Sequence, residues 1–524
     1  MSETNPQSRM WNTFNVFGES FELPETYSVV DYLGSGAYGC VAAANYTEHG
    51  ESRVSRVVAI KKCKNIFSSR TLAKRTLREM RLLRVLSNHP NIIKLMLVLL
   101  PRYTTTFNSL YLVFEMMETD LASIIRSTQL LTDDHVRYFS VQLLRACDFL
   151  HQNHIVHRDI KPRNILVNGD CTLRLADFGL GRIHNPDDDS CTVPMTSYVT
   201  TRWYRAPEIL VGWEHYDASI DMWAVGCVLA ELVGRVPMFP GNDSKKQLEL
   251  IVNVLGRPSD DFITQIRKPA CREMLVAIPK SDAFARKAIN SVLGKTSSAK
   301  SALNAVEATP GPSGVSPEAL KLIDNLLVYD PHYRPTAKQC LCSPYYQVME
   351  QVYLDKNGVQ REGPVDALSN GSIDFGFEHR KLTIDELRIE LLREARVYVQ
   401  PHSEFNDTLI AAELEACKPS SAQEVSESIL TSTSHASDLQ DNPNVQEQQR
   451  LEKTSMRDMF HIHLPHIYCG GRICGDSERV RICEENAEID VDETNPKADC
   501  TGIDNVDGVR GKQKAQAWSG CVVL

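Results

Sequence analysis

Apolar residues follow two regimes along this 524-residue chain. Over residues 27–114 they come in short, glycine-punctuated runs, VVDYLGSGAYGCVAAA and then VVAIK, on either side of a charged loop. That pattern predicts antiparallel hairpins. One stretch breaks it: within residues 74–85, Leu77, Met80, Leu82 and Leu83 make the stripe of a helix. Beyond Asp120 the period lengthens. Val136, Phe139, Leu143, Leu144, Cys147 and Leu150 recur at helical spacing behind Thr132, a good N-cap, with Asp133 and Asp134 at the positive end. An apolar helix is predicted over 220–232 and another over Ile384–Val397, which ends an extension running from about 346 to 401. Residues 1–23 read as a short polar lead, and 296–316, small and polar, as a surface insertion.

Charge sharpens the division. The formal net charge is −10, but it is uneven. From His402 onward there are 22 acidic and 11 basic residues, so residues 1–401 are close to neutral. The acidic, Ser/Gln/Asn-rich stretch 402–524 has weak periodicity and is expected to be disordered. No basic stripe marks a nucleic-acid partner. The fifteen cysteines are scattered, the first residues lack a charged start followed by an apolar run, and no stretch approaches the ~20 apolar residues of a bilayer span. The expectation is a soluble intracellular protein with reduced thiols.

Four motifs carry chemistry. The run Leu33-Gly34-Ser35-Gly36-Ala37-Tyr38-Gly39-Cys40-Val41 lets backbone approach phosphates, or is simply a hairpin glycine cluster. Strand rather than helix follows it, so it is not a dinucleotide fingerprint. Val58-Ala59-Ile60-Lys61 ends an apolar strand on a lysine, costly to bury unless paired; Glu79 on the striped helix is the natural partner, and a snorkelling surface lysine the plainer reading. His157-Arg158-Asp159-Ile160-Lys161-Pro162-Arg163-Asn164 and Asp177-Phe178-Gly179 could hold a base and a divalent metal, which prefers oxygen ligands. Each alone could be a loop accident; all four in this order are not.

In that order and spacing the chain resembles the protein kinases. WYRAPEIL, the insertion after GRPS and RKLTIDELRIELL are similar to mitogen-activated protein kinases, over roughly residues 20–400. The resemblance implies a two-lobed α+β fold: a small antiparallel-sheet lobe with one main helix (24–114), a hinge (115–119), a mainly helical lobe (120–346), and an extension (347–401) packing back on the first lobe. It implies ATP and Mg²⁺ as cofactors. Leu33, Gly34, Ser35, Gly36, Ala37, Tyr38, Gly39, Val41, Ala59, Lys61, Glu79, Glu115 and Met117 fall at its ATP-binding positions, with Phe114 as gatekeeper or plain core. Asn164 and Asp177 fall at the metal positions. Asp159 would orient the substrate hydroxyl, Lys161 steady the γ-phosphate, and Thr201 align Asp159. Thr196 and Tyr198 sit where the family carries dual phosphorylation. Phospho-Thr196 would attract Arg78, Arg158 and Arg182; phospho-Tyr198 would meet Arg202 and Arg205. Glu208 would pair with Arg334 as a buried support of the fold. Implied partners are protein substrates with Ser/Thr-Pro sites, an upstream dual-specificity kinase and phosphatases, in cytoplasm and nucleus. A cyclin-dependent type of kinase and a catalytically silent scaffold are the rival readings.

Departures from the pattern are Ser197 between the two hydroxyls, Gly181 for the more usual alanine, and a thin acidic docking cluster, with Glu350 and Asp355 nearest. The last four residues, Cys521-Val522-Val523-Leu524, match a prenylation box whose final leucine favours geranylgeranyl; an unmodified apolar terminus is the alternative. A membrane-attached pool would follow from lipidation; one lipid usually needs a second signal, and Arg510, Lys512 and Lys514 are only a thin basic patch set against an acidic tail. His461, His463, His466 and Cys469, with Cys474 and Cys483, fit no firm zinc spacing and read as disorder or a small apolar patch.

Overall fold

Alternating side chains build the first lobe. The computed structural model describes residues 11–36, 39–47, 55–100, 107–183, 201–213, 216–281, 285–289, 291–293, 315–347 and 373–398. Five antiparallel strands, β3 (Tyr27–Gly36), β4 (Gly39–Thr47), β5 (Ser55–Cys63), β6 (Leu95–Leu99) and β7 (Leu110–Glu115), pair in the order β3-β4-β5-β7-β6. In this register Lys61 stands between Val41 and Leu112, and Ala59 between Ala43 and Phe114.

Residues 11–24, expected within a polar lead, form a hairpin instead: β1 (Trp11–Val16) and β2 (Glu19–Pro24). Phe17 and Gly18, with φ of 48° and 79°, make the two-residue turn, whose positive dihedrals match strand twist. Phe21 and Leu23 are fully buried in one cluster with Ala42, Ile60, Tyr111 and Val113 of the sheet. The Glu22 N–H donates to Tyr111 Oη at 3.0 Å. The period-2 signal was present, but each strand is only six residues long and rich in polar spacers.

On the sheet packs α1 (Arg70–Leu86). It begins four residues before the predicted stripe, because Ser69 Oγ accepts the Leu72 N–H and caps an apolar-poor first turn. The second lobe is mainly helical. Its principal pieces are α2 (Leu121–Arg126), α3 (Asp133–Gln152), α4 (Pro207–Val211) and α5 (Ser219–Gly234). Thr132 caps α3 as expected, in a reciprocal pair with His135. Nearly every residue of α5 is buried, as for a helix apolar all round. Gly226 permits this: a Cβ there would lie 2.9 Å from Leu326 Cβ of the neighbouring helix Pro317–Leu326. Residues 296–314 of the expected insertion, and the whole of 399–524, lie outside the described residues. Among the described residues no helix is long and apolar enough to cross a membrane.

The fully buried Glu208, in α4, meets Arg334 through bonds of 2.5 and 2.6 Å. Arg334 also donates to the Val328 and Tyr329 carbonyls at 2.8 and 2.9 Å and lies over the Trp223 ring. Every polar atom of the Glu208 and Arg334 side chains is matched, so removing one partner strands the other. Glu208→Ala should lower stability by about 3–5 kcal/mol, read as a shift of the urea midpoint.

Candidate active site

Three segments meet where the lobes join. From β5, Lys61 Nζ reaches Glu79 Oε1 of α1 at 2.6 Å and Asp177 Oδ1 at 3.9 Å. Burial pulls the Lys61 pKa down, but the Glu79 and Asp177 carboxylates outweigh it and hold the net value up. Asp177 is the mirror case. Burial would raise it, yet Lys61, Arg75 and Lys161 hold its carboxyl well below the usual range. The residue sits at φ 62°, ψ 71°, a left-handed conformation that Asp tolerates better than most. Arg75 Nη2 stands 3.6 Å from it. Gly179 lets the Arg75 chain pass, since a Cβ there would come within 2.6 Å of Arg75 Nε.

Residues 157–164 form the second cluster. Asp159 Oδ2 accepts from Lys161 Nζ at 2.7 Å and from Asn164 Nδ2 at 3.0 Å, and Asn164 Nδ2 also reaches the Asp159 carbonyl at 2.9 Å. The loop is held from below by Asp221 near the start of α5. Its carboxylate accepts the backbone N–H groups of His157 and Arg158, both at 2.8 Å, and lies 3.1 Å from His151 Nε2. Arg158 has φ 71°, a strained value for a long side chain, and these bonds fix it. His157 joins this loop to the next: its Nε2 lies 3.1 Å from the Ala176 carbonyl and its ring packs edge-on against Phe178.

Arg158, Asp159, Thr201, Tyr204, Arg205 and Asp221 line one small cavity. Tyr204 Oη donates to Glu231 at 2.6 Å, and the Trp203 carbonyl accepts from Gln247, so the 202–204 turn is tied to the second lobe. Among the described residues, Nε and Nη1 of the buried Arg158 have no hydrogen-bond partner; its guanidinium lies over the Tyr216 ring.

Leu33, Gly34, Ser35 and Gly36 end β3, and Gly39 and Val41 begin β4. A Cβ on Gly39 would meet the Lys62 carbonyl at 2.0 Å, so the turn cannot take another residue without moving. Phe114 and Met117 are buried behind Ala59 and the hinge. The Glu115 N–H is taken by the Lys94 carbonyl at 3.2 Å, and its carboxylate by the Lys94 N–H and Arg174, so this residue has no free N–H for a ligand. Ala37, Tyr38, Thr196, Ser197, Tyr198, Glu350, Asp355, residues 461–483 and Cys521 lie outside the described residues.

Sequence reasoning missed five residues: Arg75 on Asp177, Asp221 under the loop, Glu378 on Arg78, and the Glu390/Glu394 pair. Arg81 bridges to Glu390 at 2.5 Å and to Glu394 at 3.2 Å, with Arg84 3.0 Å from Glu394. The signal was the charge: α1 carries six basic residues and one acid, while Ile384–Val397 places glutamates at i and i+4. Among the described residues no cluster of three or more His, Cys, Asp or Glu is placed to hold a metal. The two oxygen-bearing side chains Asp177 and Asn164 fit a hard cation that takes most of its ligands from water and phosphate.

A protein kinase domain matches residues 27–346. Mitogen-activated protein kinase homolog NTF6 from Nicotiana tabacum is 38% identical over 385 residues, 73% of this chain and 91% of that protein. Mitogen-activated protein kinase 4 from Arabidopsis thaliana is 38% identical over 384 residues, covering 73% and 90%. Mitogen-activated protein kinase MPS1 from Pyricularia oryzae is 41% identical over 337 residues, covering 64% and 74%. Beyond the general class, then, the chain belongs to the mitogen-activated protein kinases. It is a protein serine/threonine kinase that uses ATP with a divalent metal.

The site also sets a pH dependence. Burial opposes the Asp221 charge, but the His151 bond and charge, His157, and the Arg158 N–H outweigh it and leave the pKa depressed. A carboxyl with a depressed folded pKa stabilises the fold above its unfolded value of about 4, and that contribution fades as pH falls toward the folded value. Asp221→Asn should therefore cost about 2–4 kcal/mol at pH 7. Its gap from wild type should narrow as pH drops from 5 to 3, followed by urea midpoints.

Proposed function

We propose that this kinase transfers the γ-phosphoryl group of ATP, with Mg²⁺ as the metal, to Ser or Thr before proline, and that phosphorylation of Thr196 and Tyr198 switches it on. The supporting observation is the convergence of Lys61, Glu79 and Asp177 beside the Asp159–Lys161–Asn164 cluster. Held charged by Glu79, Lys61 fits the α- and β-phosphates. The glycine turn from Leu33 to Val41 covers them, and Ala59, Phe114, Glu115 and Met117 frame the base. Asn164 and Asp177 would hold Mg²⁺, which neutralises charge on the phosphates when bound. Asp159, fixed by Asn164, accepts the hydrogen bond of the substrate hydroxyl and aims it in line; Lys161 stands ready for the γ-phosphate, and Thr201 lines the same cavity. Because the transition state is loose, positioning and charge do most of the work.

Each phosphate brings about −1.5 to −2 charge and three acceptor oxygens. Arg78, Arg158 and Arg182 suit phospho-Thr196; Arg202 and Arg205 suit phospho-Tyr198. Ser197 leaves the upstream dual-specificity kinase open, and opposing phosphatases complete the cycle. The intact set of Lys61, Glu79, Asp159, Asn164 and Asp177 disfavours a silent scaffold. The protein works in cytoplasm and nucleus, with a membrane-attached pool if Cys521 is geranylgeranylated.

Two experiments test this. The doubly phosphorylated protein should act on a Ser-Pro peptide on the order of a hundredfold faster than on its Ser-Ala twin, and Thr196→Ala/Tyr198→Phe should lose activity by a similar factor. Equal rates on both peptides, or a fully active double variant, would overturn the corresponding half. For the tail, Cys521→Ser should shift the protein from membrane to soluble fractions of cells; identical fractions remove the lipid.

A further inference from the structure

Arg78 is where three segments touch. Its Nη1 donates to the Gly179 carbonyl at 2.6 Å. Its Nε and Nη2 fork onto the two oxygens of Glu378, with Nη2···Oε2 at 2.8 Å. Both side chains are largely buried, at 5% and 11% exposure. The short turn Gly376–Glu378 is itself fastened to α1, because Lys74 Nζ donates to the Glu378 and Arg380 carbonyls at 2.9 and 2.8 Å. Arg158 and Arg182 face the same place. Burial, then the charge of Arg78, pull Arg182 down to about 9, while Glu378 pulls it up. Arg158 is lowered chiefly by burial, with Arg78 adding to the fall and Tyr216, Asp221 and Glu378 opposing it. So Glu378 is shared by three clustered cations, with Asp221 also acting on Arg158, and two nitrogens of Arg158 have no hydrogen-bond partner among the described residues.

A carboxylate and a phosphate present the same paired oxygens to a guanidinium fork. We propose that Glu378 is a built-in stand-in for the activating phosphate on Arg78: a positioning residue that joins α1 to the Asp177–Gly179 turn before Thr196 is phosphorylated. Arg158 and Arg182 are left as the cations that the incoming phosphate neutralises. The consequence is a kinase whose unphosphorylated form already holds Glu79 on Lys61, and whose activation therefore acts mainly on the loop around Asp159. This rests on the reading of Thr196 and Tyr198 given above.

The test compares Glu378→Gln in two full-length backgrounds: Thr196→Ala/Tyr198→Phe, and wild type phosphorylated stoichiometrically at both sites. In the unphosphorylatable background, kcat/KM should fall about tenfold, with KM for ATP raised. In the phosphorylated protein the loss should stay below about twofold, because phosphate then holds Arg78. Glu378→Asp, which keeps the charge on a shorter arm, should show the same state dependence at smaller size, and it decides the matter if Glu378→Gln folds poorly by thermal melting. An equal loss in both states makes Glu378 a merely structural prop, and no loss in the unphosphorylatable background removes the stand-in; either overturns the proposal. If phosphorylation fails to raise wild-type activity, the dual-phosphorylation reading falls, while the comparison within the unphosphorylatable background still decides the role of Glu378.

Discussion

The site depends on the seating of α1, because Lys61 can carry its charge at the lobe junction only with Glu79 beside it. A buried ammonium without a carboxylate would lose its proton or its place. Glu79 stands on a helix that is electrostatically awkward: six basic residues, one acid, and no acidic residue in the first turn to meet the dipole. Left to itself, such a helix repels its own side chains. It needs anions from elsewhere, and it finds them in two places.

The first source is the active site, where Asp177 faces Arg75 as well as Lys61. The second is the extension beyond the matched kinase domain. Glu378, Glu390 and Glu394 take Arg78, Arg81 and Arg84, the Asp374 carbonyl takes a second bond from Arg81, and Tyr398 Oη donates to the Met80 carbonyl at 2.6 Å. Leu387, Leu391, Leu392 and Ala395 bury the apolar face of the same segment. The extension is therefore a counter-charge for α1 as much as a packing element. Since these pairs are substantially desolvated, removing one member strands a cation and costs more than the pair contributes when intact.

Much of this was legible in the chain. Period 2 and period 3.6 mark the two lobes, Thr132 marks a helix start, and the four chemical motifs are contiguous strings whose order carries the assignment. What stayed hidden is what arises between distant segments. Asp221 lies 64 residues from the loop it supports, and nothing local separates it from any acid near a helix start. Glu378 is 300 residues from Arg78, and only the excess of positive charge on α1 hinted that anions must come from somewhere. The N-terminal hairpin was missed for another reason: six-residue strands with polar spacers fall below the contrast that periodicity needs, and the burial of Phe21 and Leu23 is decided by the sheet they meet.

The charge count around Arg78 also bears on how a phosphate would act here. A carboxylate supplies one negative charge, and it already occupies the fork of the guanidinium nearest α1. Arg158 and Arg182 lie on the other side of the problem, on the loop that carries Asp159 and just after the turn that carries Asp177. Their mutual repulsion opposes the alignment of those segments, and the Asp221 carboxylate offsets it for Arg158. A dianion with three oxygens can bridge two arginines that a single carboxylate cannot reach. On the proposed reading the two anions would divide the task by geometry: the one fixed in the chain would keep α1 seated, and one added by phosphorylation would relieve the cations on the catalytic side.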